Sequence, residues 1–193
     1  DYDVDGVTSV SILYIYLKER GADVDYYIPT REGEGYGLNV GAFNAIKENG
    51  TKLIITVDTC ITAIDEIAYA YTIGLEVVVT DHHQCRPELP VCEAVVNPRR
   101  CDCEYPFKEL SGVGVIFKVL CALEMDLVNF GEYNLFTIKD MCRRYIDLVT
   151  IGTIADVMPL YDENRIMVYM GLGILAKPRN TGIRALFRAV GID

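Results

Sequence analysis

No stretch of the 193-residue sequence approaches the ~20 consecutive apolar residues that a membrane-spanning helix needs. A basic excess is missing too. The 18 Lys and Arg are outnumbered by 28 Asp and Glu, for a formal net charge of -10, which argues against a broad basic groove that binds nucleic acid by counterion release. There is no internal repeat and no low-complexity linker. The seven cysteines are an odd number and lack the paired CxxC knuckles of structural zinc sites. Nothing with the form of a signal peptide precedes them, so reduced thiols in a cytoplasmic protein are the expectation. Histidine is scarcest of all, with two residues, and those two are adjacent, His82 and His83.

With 51% of residues in the hydrophobic set and 24% charged, the chain is too apolar for intrinsic disorder and fits one ordinary globular domain. Hydrophobic spacing after Gly6 predicts a helix to about Arg20, stopped by Gly21. A strand is predicted at Val24–Ile28, then a glycine-rich loop over Pro29–Gly37 and a helix over Val40–Glu48. The β-branched runs Lys52–Val57, Glu76–Thr80 and Ala94–Val96 read as buried strands, with a helix over Ala63–Thr72 between the first two. From Leu110 onward the pattern is helical, in segments near 112–125, 135–152, 164–176 and 181–190. The expected fold class is α/β: an open parallel sheet flanked by helices over about 1–110, followed by a mostly helical part over about 111–193.

In an open parallel sheet, ligands bind beyond the carboxyl ends of the strands, and the unusual residues of this sequence fall there. Asp58 follows the run ending at Val57, and Asp81-His82-His83 follows the run ending at Thr80. The string Asp1-Tyr2-Asp3-Val4-Asp5-Gly6 stands just before the first helix, where the end of a preceding strand would lie. Carboxylates at alternate positions repel one another unless a cation neutralises them. An EF-hand loop opens with the same spacing but needs a bidentate Glu at its twelfth position, where Ile12 stands here. Carboxylates with an imidazole and no thiolate suit manganese, or magnesium, better than structural zinc. Four or more carboxylates usually hold two ions, the arrangement that clamps the attacking and leaving oxygens of a phosphoryl displacement. Asp156, in Thr153-Ile154-Ala155-Asp156, reads alone as a residue capping a helix end.

The strings DYDVDG, VDTCI, TDHH and GTIADVMPL, in that order, resemble the four motifs of the DHH phosphoesterase superfamily. The intervening EGYGLN, VVNPRR and LSGVGVIFKV resemble its RecJ-type single-stranded-DNA exonuclease branch, and the likeness spans essentially the whole chain. The resemblance implies two divalent cations, manganese preferred and magnesium possible, bound by Asp3, Asp5, Asp58, His82 and Asp156, with Asp58 bridging. It implies that His83 contacts the scissile phosphate or assists the leaving group and that Asp81 orients a neighbouring imidazole. The implied activity is 5′ to 3′ hydrolysis of single-stranded DNA. Arg31, Tyr36 and Ser111 are further candidates for contact with substrate, and free N–H groups at Ser111-Gly112-Val113-Gly114 could receive a phosphate or serve tight helix packing.

The sequence departs from the family in beginning within the first motif, without the strand that should hold it, and in ending at Asp193 without the DHH-associated domain that relatives carry across a cleft. An excised piece of a longer protein is therefore expected. Five basic residues with no acidic ones between Asn164 and Ile192 (Arg165, Lys177, Arg179, Arg184, Arg188) form either a DNA track or a solvated face. The alternatives are a DHH enzyme for small phosphate esters (an oligonucleotide or cyclic-dinucleotide phosphodiesterase, or an inorganic pyrophosphatase) and a non-catalytic relative in a replication complex. The intact motif acids argue against the latter.

Overall fold

The computed structural model of the chain describes residues 2–29, 39–129 and 132–192. Its sheet is built from the β-branched runs: β1 (Leu53–Val57), β2 (Glu76–Thr80) and β3 (Ala94–Val96) lie parallel in the order β1-β2-β3. Leu53 stands opposite Glu76, and Val78 opposite Ala94. A parallel sheet must be covered on both faces. Ile54, Val77 and Val79 pack with Phe43 of α2 (Val40–Glu48) and Ile67 and Ala70 of α3 (Ile64–Thr72). Ile55 and Val57 belong to the opposite, larger core, which Ile12 and Tyr16 of α1 (Val4–Glu19) share with α4 (Gly112–Asn129) and α5 (Leu135–Ala155) through residues such as Val113, Ile116, Met141 and Ile146. Each large side chain fully buried there contributes about 1.5–3 kcal/mol. Met167 of α6 (Asp162–Leu175) and Ile183 of α7 (Thr181–Ala189) extend this core. The first helix therefore packs with the C-terminal helices, and the sheet lies beneath them.

Gly21 and Gly50, both at positive φ, stand just past the ends of α1 and α2, and Gly21 is the stop that the sequence predicts. Two local expectations differ from the structure. The first helix opens at Val4, three residues earlier than its apolar spacing suggests, because Asp3 caps it by accepting the Gly6 N–H at 2.9 Å. Val24–Ile28 is not a strand: a ladder needs a neighbour, and none of the three described strands pairs with it. The connection from β2 to β3, residues 81–93, contains no helix. No described helix is long and apolar enough to cross a membrane.

Candidate metal centre

The parallel sheet delivers its strand ends to one edge. Past Thr80, Asp81 turns its carboxylate back onto its own loop. Oδ1 accepts the N–H groups of His82 (2.7 Å) and His83 (3.0 Å) and lies 2.7 Å from His83 Nδ1, while Oδ2 accepts the Ile61 N–H at 2.9 Å. Asn97, just beyond β3, donates from Nδ2 to the His83 carbonyl at 2.9 Å. Asp81 thus fixes both imidazoles relative to the loop after β1. Burial opposes its negative charge, but the His83 ring and the N–H donors outweigh that and hold its pKa below the usual carboxylate range.

Asp58 follows β1 with φ 58°, a left-handed conformation that is uncommon for a residue with a side chain. That turn points its buried carboxylate at His82, with Oδ1 3.0 Å from Nε2. His82 Nε2 is also 3.5 Å from Asp156 Oδ2 and 3.8 Å from Asp5 Oδ2. Asp5 comes from the first turn of α1 and is 1% exposed, and Asp156 is the C-cap of α5. One imidazole therefore stands among three carboxylates from three elements. Asp5, His82 and Asp156 form one group of donor atoms able to surround a cation, and Asp58, His82 and His83 form a second.

Asp5 is held from behind. Its Oδ2 accepts the Gly112 N–H at 2.6 Å and its Oδ1 the Val113 N–H at 2.9 Å, so the first turn of α4 clasps both oxygens. The Gly112 and Val113 N–H groups of the Ser111–Gly114 segment therefore serve the Asp5 carboxylate. Ser111 itself is fully buried, its hydroxyl 2.9 Å from Thr153 Oγ1 and accepting the Gly114 N–H at 3.1 Å. The side chain braces α4 against α5 and is shut off from solvent.

Desolvation and mutual repulsion leave the cluster electrostatically unsatisfied. Burial, then Asp58, pushes the Asp5 carboxyl up to about 7 against its two N–H donors. Asp58 and Asp156 are raised by burial as well. For His82, burial disfavours the cation but Asp58 and Asp5 override it and raise the pKa. His83 is pushed up to about 9, chiefly by its bond to Asp81. Among the described residues, His82 Nε2 and Asp58 Oδ1 are buried with the 3.0 Å approach between them as their closest polar contact, and His82 Nδ1 is buried with no hydrogen-bond partner. Leaving such a group unsatisfied costs about 1–3 kcal/mol. A cation among the carboxylates would be bound by His82 Nε2 and Asp58 Oδ1 and would reverse the repulsion. Oxygen-rich ligation with imidazole and no thiolate fits manganese or magnesium, so the residues present fit a divalent metal.

The other expected residues lie at the margin or outside. Asp3 is exposed at the rim, close enough to raise both Asp58 and Asp156, with Oδ1 engaged in capping α1. Arg31 and Tyr36 fall outside the described residues, as does Asp1. Arg165, Lys177, Arg179, Arg184 and Arg188 are exposed. Reading the sequence alone misses Ile61 N–H, Asn97 and Gly152, where an added Cβ would lie 2.9 Å from Asp5 Oδ1. Backbone donors and missing Cβ atoms carry no side-chain signature. Only the glycine spacing of LSGVG gives a hint.

The profile of the DHH family, N-terminal domain, matches residues 1–153. The chain belongs to the DHH family. The single-stranded-DNA-specific exonuclease RecJ of Bacillus subtilis is 47% identical over 193 residues, all of this chain and 23% of that protein. The DHH chain also matches a crystal structure of exonuclease RecJ bound to manganese, with TM-score 0.81 and 37% identity over 99% of this chain and 46% of the other. RecJ from Thermus thermophilus, solved in complex with Mn2+ and with Mg2+, matches all of this chain with TM-scores 0.74 and 0.62 at 34% and 32% identity, over 26% and 22% of those chains. This DHH chain thus spans about a quarter of the Bacillus relative.

Proposed function

We propose that this chain is the catalytic core of a metal-dependent exonuclease that degrades single-stranded DNA from its 5′ end. The observation that carries the reading is the buried His82 Nε2, 3.0 Å from the buried Asp58 carboxylate and ringed by the Asp5 and Asp156 carboxylates at 3.8 and 3.5 Å. Asp3, Asp5, Asp58, His82 and Asp156 would hold two divalent cations, manganese in preference to magnesium, with Asp58 serving both. Bound there, the cations supply Lewis-acid stabilisation of the phosphoryl transition state and activation of water. His83, half-exposed with Nδ1 tied to Asp81, keeps Nε2 for an oxygen of the scissile phosphate. Asp81 fixes its tautomer and orientation. The likeness to single-stranded-DNA-specific exonucleases over the whole chain favours this substrate over small phosphate esters. The parent protein would add a C-terminal DHH-associated domain to hold the strand, and seven free cysteines suit a cytoplasmic setting.

The test is manganese-dependent release of nucleotides from 5′-labelled single-stranded DNA, with a dinucleotide as parallel substrate. Stepwise release from the 5′ end is expected, and cleavage of the dinucleotide alone would move the assignment to the small-ester class. His83→Ala should lower turnover by roughly 100-fold or more, the usual range for a lost acid–base or positioning group, with manganese content nearly intact. Loss of metal in that variant would make His83 a ligand instead.

A further inference from the structure

We propose that the first turn of α4, at Gly112 and Val113, is the positioning element of the metal centre, setting two ligands that come from two other parts of the chain. The inference rests on the metal reading of the site and extends it to groups outside the motif acids. The grip on Asp5 is direct. Two backbone N–H groups hold its two oxygens at 2.6 and 2.9 Å, so the carboxylate cannot rotate without losing one of them. The N-terminus of an 18-residue helix also favours the charged form of a carboxylate placed against it.

The hold on Asp58 is steric. A Cβ on Gly112 would lie 2.6 Å from Asp58 Cβ, 2.7 Å from Oδ1 and 2.8 Å from Cγ. These are the root and body of a short side chain whose backbone is already left-handed, so it has little room to yield. Gly112 does not take a positive φ, and conformation alone does not demand glycine there. Its lack of a side chain is what lets α4 and the Asp58 carboxylate occupy adjoining space. Alanine at this position forces one of two movements. If Asp58 yields, its Oδ1 leaves its place beside His82 Nε2. If α4 backs away, both N–H groups leave Asp5. Either way a ligand is displaced, while the helix gains propensity from Gly to Ala.

Two substitutions in the full chain separate this role from general packing. Gly112→Ala removes the space, and Val113→Pro deletes the N–H to Asp5 Oδ1 at a first-turn position whose N–H makes no intrahelical hydrogen bond. Gly114→Ala is the control, because its Cβ meets Ser111 and Leu110 at 3.3–3.4 Å and no candidate ligand. Manganese affinity is read by calorimetry and by the Mn2+ EPR spectrum, with the melting temperature in chelator as the measure of folding. At least a tenfold rise in Kd and an altered spectrum are expected for Gly112→Ala and for Val113→Pro, while Gly114→Ala binds as the unsubstituted chain does. Should one of the two variants fail to fold, the other decides. Wild-type affinity and spectrum in a folded Gly112→Ala or Val113→Pro chain, with Asp58→Asn still losing metal, overturn the positioning role and leave the metal centre standing. Absence of manganese binding by the unsubstituted chain overturns both.

Discussion

At the scale of single residues, Asp58 joins function to strain. Its left-handed backbone and buried, repelled carboxylate both oppose folding in the absence of a cation. Asn tolerates that backbone region best after Gly, so Asp58→Asn removes the charge without adding strain. In chelator the variant should melt a few degrees above the parent, and it should bind little manganese by calorimetry; unchanged metal stoichiometry would exclude Asp58 from the ligand set. Another buried carboxylate, Asp147, lies away from the centre on α5, with Oδ1 accepting the Leu148 N–H. Glu19, Arg143, Arg144 and Arg179 line the cavity it faces. Burial raises its pKa from 3.8, so the folded chain binds that proton more tightly than the unfolded one, and stability falls as pH rises above about 3.8. Asp147→Asn should therefore gain nothing in acid and a growing advantage toward neutral pH in thermal melts. An advantage at neutral pH equal to that in acid would refute the burial argument. The acids of the centre are legible in the sequence because charged residues at apolar strand ends stand out. Asp147 is not, since one Asp within a helical pattern reads as a solvent-facing residue until burial is known.

At the scale of elements, the crossing of α5 and α6 tests how closely the C-terminal helices fit. A Cβ on Gly171 would lie 1.8 Å from Thr150 Oγ1 and 2.6 Å from the Ile146 carbonyl oxygen. Alanine is worth about 1 kcal/mol more than glycine within a helix, yet overpacking costs about 1–3 kcal/mol. Contact this close puts the cost at the upper end. Gly171→Ala should lower the melting temperature by about 4–8 °C, and Thr150→Ala should restore only part of it, because the Ile146 carbonyl remains in place. Full rescue would locate the clash in the hydroxyl alone. Helix periodicity and β-branched runs place most elements within a few residues, including all three strands of the sheet. Val24–Ile28 has strand composition but no described ladder partner, and a strand is a property of the pair. Asp3 as a cap extends α1 back into the first acidic string, so the string is partly helix and partly the turn that caps it. The role of α4 in holding Asp5 is hidden from the sequence for the same reason: it depends on which elements meet.

At the scale of the molecule, the net charge of -10 and the clustered acids pose one question, whether a divalent ion is part of the stable fold. Asp5, Asp58 and Asp156 come from α1, from the end of β1 and from the end of α5, and the unfolded chain holds no such arrangement. An ion that binds only the folded chain stabilises it by about 2.7 kcal/mol at 100 times its Kd. For a domain of this size that is a rise in melting temperature of about 5–11 °C, increasing with the logarithm of ion concentration. Manganese should produce this rise, while a monovalent salt at equal ionic strength should not, because screening of exposed charges is a weaker effect. Asp58→Asn should flatten the manganese response without lowering the baseline. If that variant keeps the full rise, the ions stabilise the chain through its acidic surface, and the buried centre is not where they bind.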